Sequence, residues 1–570
     1  MLNGTRHTNG NGRKHVTSHA TSVDVTRKRR SRRMNPTRVA AIDIGSNSIH
    51  MVIVRLYRGG HFEIVDRAKE MVGLGRGTLV RGRLSAEALE AGFRTLAAFA
   101  HLARQQDADP ILAVATAAVR EAENGGDLVL RAWEELGLRV DVITGNEEAR
   151  LVFEAARHSI DFRGQRPIVV DVGGGSVELI QGIGPRVEWQ ESLKLGVARL
   201  TDRFIRNDPP RKAELAALRA HLKRKLEPAF QRAAKLDPTM MVGTSGTLQN
   251  LTAIAVAMRE GRAPVSLHNH VLKRDEIVEI AERLSTMRKD ERERIPALDR
   301  RRVELIIAGA ILTEVLFEGF GVKEMRACEW GLREGIILDF VARFPDYADT
   351  IARTPDIRRR SVLEMARRFE ADEPHARQVA YMALRLFDAT RKLHRLGRRE
   401  RELLEFAALL HDVGLYVSHA RHHHHSQYLI SHGELLRGFT PDEIGIIAAL
   451  ARFHKGAPVK GSASEMAGLP SSSRELVTTL AGILRVADAL DRSHHGVVRN
   501  LRVICPNGKR ILVRLDGAGR DVELELWAAR RKSELMEKNF GREIDFRVTT
   551  SRRRGRAAAY NGSAGLWTPA

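Results

Sequence analysis

Two glycine- and serine-rich loops, each led by an aspartate, constrain this chain more than any other feature. They read Asp43-Ile44-Gly45-Ser46-Asn47-Ser48 and Asp171-Val172-Gly173-Gly174-Gly175-Ser176. Each follows a short apolar run (Val39 to Ile42, Ile168 to Val170) with the character of a buried strand, and each leads into another β-like run. Glycine allows positive φ and close approach, successive amides make an anion nest, and a carboxylate at the strand end holds a divalent ion directly or through water. One such loop is weak evidence. Two in one chain predict a phosphate clamp across a cleft.

The 570 residues exceed what one core organises, so several domains are expected. No run approaches the ~20 apolar residues of a membrane span, and the first residues lack a signal peptide's apolar core. Two cysteines, Cys328 and Cys505, make a disulfide framework improbable and fit a reducing cytoplasm. The formal charge of +22 suggests nucleic acid until it is located. Residues 1–38 carry +9 and residues 551–570 carry +4, leaving +9 over the long body. Both ends lack periodicity and read as disordered basic tails, so specific nucleic-acid binding is not expected. Met34 precedes the first strand and is a candidate translation start.

The pattern after the first tail (1–37) alternates strands and helices in two rounds. The first (38–163) has strands at 39–44, 50–57, 61–67, 111–115 and 139–143, with helices at 85–105 and 146–158. The second (164–345) has strands at 168–172, 177–182, 187–193, 239–243 and 323–328. Its helices fall at 196–206, 211–234, 245–257, 273–286, 301–318 and 332–343. Two similar rounds, each opened by an Asp–Gly loop, predict a duplicated α/β module with an interlobe cleft. A Pro/Asp-bearing linker (344–353) leads to helical patterns over 355–496, interrupted by a loop at Gly461 to Ser473. Residues 497–550 are expected to form a small α+β unit with strands at 501–504, 511–515, 522–527 and 543–548 and a helix near Arg530 to Phe540, before a second tail, 551–570.

Four ordered motifs carry a resemblance. Ala41 to Ser48, Gly145-Asn146-Glu147-Glu148-Ala149-Arg150, Asp171 to Glu178, and Gly243-Thr244-Ser245-Gly246-Thr247 resemble the Ppx/GppA phosphatase family over roughly residues 38–545. Its members are exopolyphosphatases and guanosine pentaphosphate phosphohydrolases of the actin/hexokinase/Hsp70 (ASKHA, ribonuclease H-like) superfamily. The resemblance implies hydrolysis of a terminal phosphoryl group with Mg²⁺ or Mn²⁺. Ser46, Asn47, Ser48 and Gly173, Gly174, Gly175, Ser176 would supply donors to phosphate oxygens. Gly243, Thr244 and Ser245 open a helix that offers a further anion-tolerant N-terminus. Asp43, Asp171 and Glu178 are the candidate metal holders. Glu148 matches the water-activating base, and Arg120, in Ala117-Ala118-Val119-Arg120, the arginine aimed at substrate phosphate. Alone, Glu147 and Glu148 read as acidic residues at a helix N-terminus; beside the loops Glu148 reads as catalytic and Glu147 as capping. Lys194 and Arg199 are candidates for a polyanion path, or simply solvated charges.

The helical region holds a second constellation, His375, His411-Asp412 and Asp488. It resembles the HD superfamily, in which these four residues hold one divalent ion. His425 and His454 are possible additions, and His422 to His425 otherwise read as a polar loop.

The leading expectation is exopolyphosphatase activity, with guanosine pentaphosphate 5′-phosphohydrolase as the alternative. The family's habits imply a homodimer. A sugar kinase lacks support in any sugar-binding signature, and a non-catalytic polyphosphate or nucleic-acid binder is disfavoured by the retained loops and base.

Overall fold

The computed structural model describes residues 37–57, 61–75, 78, 82–184, 186–344, 354–455, 466, 468–505 and 510–549. Both apolar runs before the Asp–Gly loops become strands. β1 (Thr37–Ile44) and β2 (Ile49–Leu56) flank the first loop, and β3 (Phe62–Glu70) pairs antiparallel with β2. β4 (Ala108–Ala115) and β5 (Val140–Val142) add in parallel, giving the order β3-β2-β1-β4-β5. β1 and β2 bury residues on both faces, as strands between two packed layers must, whereas β3 alternates toward solvent.

The second round repeats this plan. It comprises β6 (Pro167–Val172), β7 (Val177–Ile183), β8 (Arg186–Leu193), β9 (Met240–Thr244), β10 (Val271–Lys273) and β11 (Glu324–Ala327). The order β8-β7-β6-β9-β11 carries the pairings of the first sheet, antiparallel up to β6 and parallel beyond it. β10 pairs antiparallel at the β11 edge, where sequence pattern marks only a helix start. The duplicated two-lobed α/β module is therefore present. One apolar cluster bridges its sheets: Val39 and Ala41 share it with Val169 and Val242 through the helices Gly145–Arg157 and Leu332–Val341.

Three regions differ from expectation. Short helices at Ala117–Glu121 and Gly125–Leu136 stand where no element was assigned. The helix expected over 301–318 is a 3-10 turn, Arg300–Arg302, capped by Asp299, followed by Ile306–Phe320. The run 522–527, expected as a strand, enters the helix Glu523–Lys532. Its alternation misleads because burial falls on Val522, Glu525 and Ala528–Ala529, a helical period, and leaves Leu524 and Trp527 exposed.

Beyond the module, helices Ile357–Arg368, Glu373–His394, Arg398–Leu410, His422–His432, Pro441–Phe453 and Ser471–Ala489 form the all-α region. The loop expected at Gly461 to Ser473 ends earlier, since Ser471 already opens a helix. Most of that loop, the linker at 345–353, and the tails 1–36 and 551–570 lie outside the described residues. The small sheet β12 (Asn500–Ile504), β13 (Arg510–Asp516) and β14 (Glu543–Val548) shares one apolar core with these helices, joining Leu501, Val513 and Phe546 to Leu404, Leu450 and Leu484. Among the described residues no helix is long and apolar enough to cross a membrane. Cys328 and Cys505 are free thiols.

Candidate active site

The two Asp–Gly loops close with the same bond. Gly45 N donates to Ser48 O at 3.1 Å and Gly173 N to Ser176 O at 3.0 Å. They also meet: a Cβ on Gly174 would lie 3.3 Å from Ser46 Cβ and 3.4 Å from Asn47 Cβ. The helix Val197–Phe204 locks the second loop from behind. Gly196 N, Val197 N and Ala198 N donate to the carbonyls of Gly175, Gly173 and Gly174, which ties down the backbone of a loop that lines the cleft. Gly196 is needed for that approach, since a Cβ there would stand 2.3 Å from Gly174 C and O. Gly196→Ala is expected to destabilise the protein by about 1–3 kcal/mol through overpacking and to reduce phosphate release. Thermal denaturation and a phosphate assay on the same sample check both.

Between the loops lies a cavity of about 180 Å³. Asp43, Glu148 and Asp171 line it together with Ser46, Asn47, Ser48 and the Gly173–Ser176 loop. The neighbouring Glu178 is 1% exposed and accepts from Ser192 Oγ at 2.8 Å. Burial pushes Asp43 up to about 7, with Asp171 adding repulsion. Burial raises Asp171 to about 6. Glu148 is held well above the carboxylate range by burial and by Glu178, with Arg120 opposing; Glu178 is raised by burial and by Asp171. Asp171 Oδ1 is buried without a hydrogen-bond partner, as is the donor Asn47 Nδ2. Clustered carboxylates, one with an unpaired oxygen, fit a divalent cation held largely through water and phosphate oxygens. Asp43, Asp171 and Glu178 do not form a close three-ligand cage, since the groups that do lie elsewhere.

The helix Gly145–Arg157 sets Glu148. Thr144 Oγ1 caps it by accepting from Glu147 N at 3.2 Å, which turns Glu147 outward to pair with Arg150 at 2.7 Å and Glu148 inward, 8% exposed. Arg120 stands behind the base. Its Nη1 lies 3.2 Å from Glu148 Oε2 and donates to Ile143 O at 2.8 Å, and Arg120 is not among the cavity-lining residues. Gly243 and Thr244 do not line the cavity either. A Cβ on Gly243 would meet Met325 Sδ at 2.4 Å, so this glycine serves strand packing. Ser245 does line the cavity and has φ +78°, a left-handed backbone rare for serine, at the N-terminus of the helix Ser245–Glu260.

Sequence reading missed the cationic wall: Lys69, Arg302 and Arg333 line the cavity beside His50. Arg302 is 9% exposed, its Nε has no partner, and its guanidinium fills the space a Cβ on Gly246 would need. Burial and Arg302 bring Lys69 down to about 8. These residues sit on three distant segments without a shared motif. Lys194 and Arg199 instead pair with Glu121 at 2.8 and 3.1 Å.

The second constellation also assembles. His375, His411 and Asp412 bring ligand atoms within 4.8 Å of one another, and Asp412, His422 and His454 do the same. Asp488 Oδ1 lies 3.7 Å from His375 Nε2 and 3.8 Å from His411 Nε2. His454 joins as expected, whereas His422 rather than His425 supplies the remaining ring. His422 opens its helix and is buried; His425 is three residues on and outside either group.

Two sheets of matching order, each delivering an Asp–Gly turn to one cleft, define an actin-like phosphate-handling module. A model of the Ppx/GppA phosphatase family matches residues 52–344, and a model of Ppx/GppA phosphatase domain III matches residues 357–513. The chain belongs to the Ppx/GppA phosphatase family and is a phosphoanhydride hydrolase. An exopolyphosphatase from Cytophaga hutchinsonii is similar in fold, at 24% identity over 54% of this chain and 99% of its own, with a TM-score of 0.52. An exopolyphosphatase-like protein is 28% identical over 54% of this chain and 98% of its own, with a TM-score of 0.50. A family member from Aquifex aeolicus is 29% identical over 54% of this chain and 99% of its own, with a TM-score of 0.47.

Proposed function

We propose that the chain is a cytoplasmic exopolyphosphatase that removes the terminal phosphate of inorganic polyphosphate with Mg²⁺ or Mn²⁺. The observation that carries this over guanosine pentaphosphate is the cleft wall: Lys69, Arg302 and Arg333 face the loops, and among the described lining residues the one aromatic ring is His50, with no Phe, Tyr or Trp. The name of the 28% identical neighbour, exopolyphosphatase-like, agrees.

The loop amides and the Ser46, Asn47, Ser48 and Ser176 side chains hold the terminal phosphoryl group, and Arg302 offsets its charge. Asp43 and Asp171 would hold a divalent ion, which when bound would supply positive charge against the phosphate oxygens. Glu148, whose ionised form Arg120 at 3.2 Å favours against the burial that raises its pKa, takes a proton from water. The water oxygen bonds to the terminal phosphorus, the bridging P–O bond breaks, and the shortened chain leaves with that oxygen. Glu178 braces the site through Ser192.

The test is phosphate release with Mg²⁺ from long-chain polyphosphate and, in parallel, from guanosine pentaphosphate. Higher kcat/KM on polyphosphate supports the proposal; preference for the nucleotide overturns it. Arg302→Ala is expected to raise KM about tenfold, the share of one charge-assisted contact, and more for long chains than for tripolyphosphate. A homodimer is the assembly proposed with this activity, and light scattering on the eluting peak reads it.

A further inference from the structure

Three consecutive residues of the helical region reach both lobes of the module. Arg437, Gly438 and Phe439 lie between the helices His422–His432 and Pro441–Phe453. Gly438 N donates to Ser159 O at 2.9 Å, two residues beyond the helix Gly145–Arg157 that carries Glu148. Phe439 O accepts from Asn269 Nδ2 of the second lobe at 2.8 Å. The Arg437 guanidinium lies over the Trp330 ring, 5.2 Å from its centroid. Gly438 has φ +80°, and a Cβ there would stand 3.0 Å from Arg358 Cγ and Ile357 Cγ2, so glycine is what lets this turn fit.

Arg437 is itself held from behind. Its guanidinium pairs with Glu364 on the helix Ile357–Arg368, and its carbonyl accepts from Ser361 Oγ at 3.1 Å. The two charged side chains are 13% and 10% exposed, which sets this pair apart from the loose surface pairs that contribute little.

Trp330 is where that hold meets the cleft. It sits in the segment joining β11 to the helix Leu332–Val341. Its neighbours Glu329, Gly331, Leu332 and Arg333 line the cavity, whereas Trp330 does not. Its ring stacks on Phe62 of β3 with centroids 5.3 Å apart, so the first lobe and the helical region both grip one side chain of the second lobe. The flanking residues are tied as well. Glu329 accepts from Leu267 N at 2.8 Å and from Ser266 Oγ at 3.1 Å, and Gly331 N donates to Glu334 Oε2 at 2.9 Å. With both flanks tied, the seat of the Trp330 ring sets how the chain turns into Arg333. Arg333 in turn acts on the first loop, where its charge opposes the burial that raises Asp43.

We propose that Trp330 and Arg437 are positioning residues for the cleft, through which the helical region holds Arg333 where it meets substrate phosphate. This rests on the reading of the cleft as the phosphate site. The contact moves no proton and breaks no bond. It fixes one guanidinium before substrate arrives, so its loss weakens substrate binding more than the bond-breaking step. A cation on an aromatic face tolerates a smaller ring and is lost on an alkyl group, which separates this role from simple packing.

The test is a kinetic series on the full chain with Mg²⁺, using whichever of polyphosphate and guanosine pentaphosphate the wild type cleaves faster. Trp330→Leu keeps an apolar side chain against Phe62 and removes the aromatic face. It is expected to raise KM about fivefold with kcat within about twofold, and Trp330→Phe to return KM to within about twofold of wild type. Replacing Arg437 and Glu364 together by Leu strands no buried charge and should raise KM by a similar factor, with circular dichroism confirming the fold. Arg333→Ala should raise KM on its own. Trp330→Leu added to it should change KM less than about twofold, because the residue it positions is gone. Effects that multiply in the Arg333→Ala background, a Trp330→Phe variant as impaired as Trp330→Leu, or an unchanged KM in the folded Arg437→Leu/Glu364→Leu chain would overturn the proposal. Glu148→Gln, run beside them, separates the two readings. Release that survives in it overturns the cleft reading and the proposal together, whereas multiplying effects with release lost in Glu148→Gln overturn the positioning role alone.

Discussion

Glu148→Gln is expected to lower kcat for phosphate release by about 10²–10⁴-fold, the range of one positioned general base, while KM changes little. The substitution keeps the shape of a residue that is 8% exposed, so the helix Gly145–Arg157 and its Thr144 cap remain intact. It removes only the group that accepts the proton of water. Arg120 would lose its carboxylate partner but keep the Ile143 carbonyl, which holds it in place. Because burial and Glu178 raise the Glu148 pKa, the acid limb of the wild-type pH–rate profile should lie above the ordinary carboxylate range. A kinetic series over pH reads both. A fall in kcat below tenfold, or an acid limb near pH 4, would remove Glu148 from the role of base.

Asp171→Asn is expected to abolish turnover and yet stabilise the metal-free protein at pH 8. Burial pushes the folded carboxyl up to about 6 from an ordinary value of 3.8. A raised carboxyl pKa means that the native state favours the protonated form. The stability this gives is fully present below pH 4 and is lost as pH rises through 6. At pH 8 the buried charge therefore costs up to about 3 kcal/mol, two units at 1.36 kcal/mol each. Asparagine removes the charge and relieves the neighbouring Asp43. In EDTA the variant should melt a few degrees higher than wild type at pH 8, keep about half of that gain at pH 5, and lose it below pH 4. Mg²⁺ should raise the wild-type melting temperature and not the variant's. A variant less stable than wild type in EDTA at pH 8 would show that the cleft carboxylates are not strained when metal is absent.

The strands around the loops were legible because burial between layers writes itself as unbroken apolar runs, as in Val39 to Ile42. The duplicated topology followed from spotting the loop twice. Glu147 and Glu148 separated by register alone, since one capped helix turns adjacent residues to opposite sides. Lys69, Arg302 and Arg333 were not legible because no spacing links them, and an arginine at a cavity wall looks like any surface arginine until the chain is folded. His422 escaped for the opposite reason: inside a run of four histidines, sequence does not say which ring a helix start turns inward. Val522 to Trp527 alternates like a strand, but Glu525 is buried with Val522 and accepts from Ser493 N at 3.1 Å while Leu524 faces solvent, so the buried side follows a helical period.

The central claim is that phosphoanhydride hydrolysis belongs to the interlobe cleft and not to the helical metal cluster. Phosphate release from polyphosphate, measured side by side for wild type, Glu148→Gln and His411→Ala, tests it most directly. The expected result is loss of release in Glu148→Gln and near wild-type release in folded His411→Ala. Release that survives Glu148→Gln and disappears in His411→Ala would contradict the account and move the active site to the helical region.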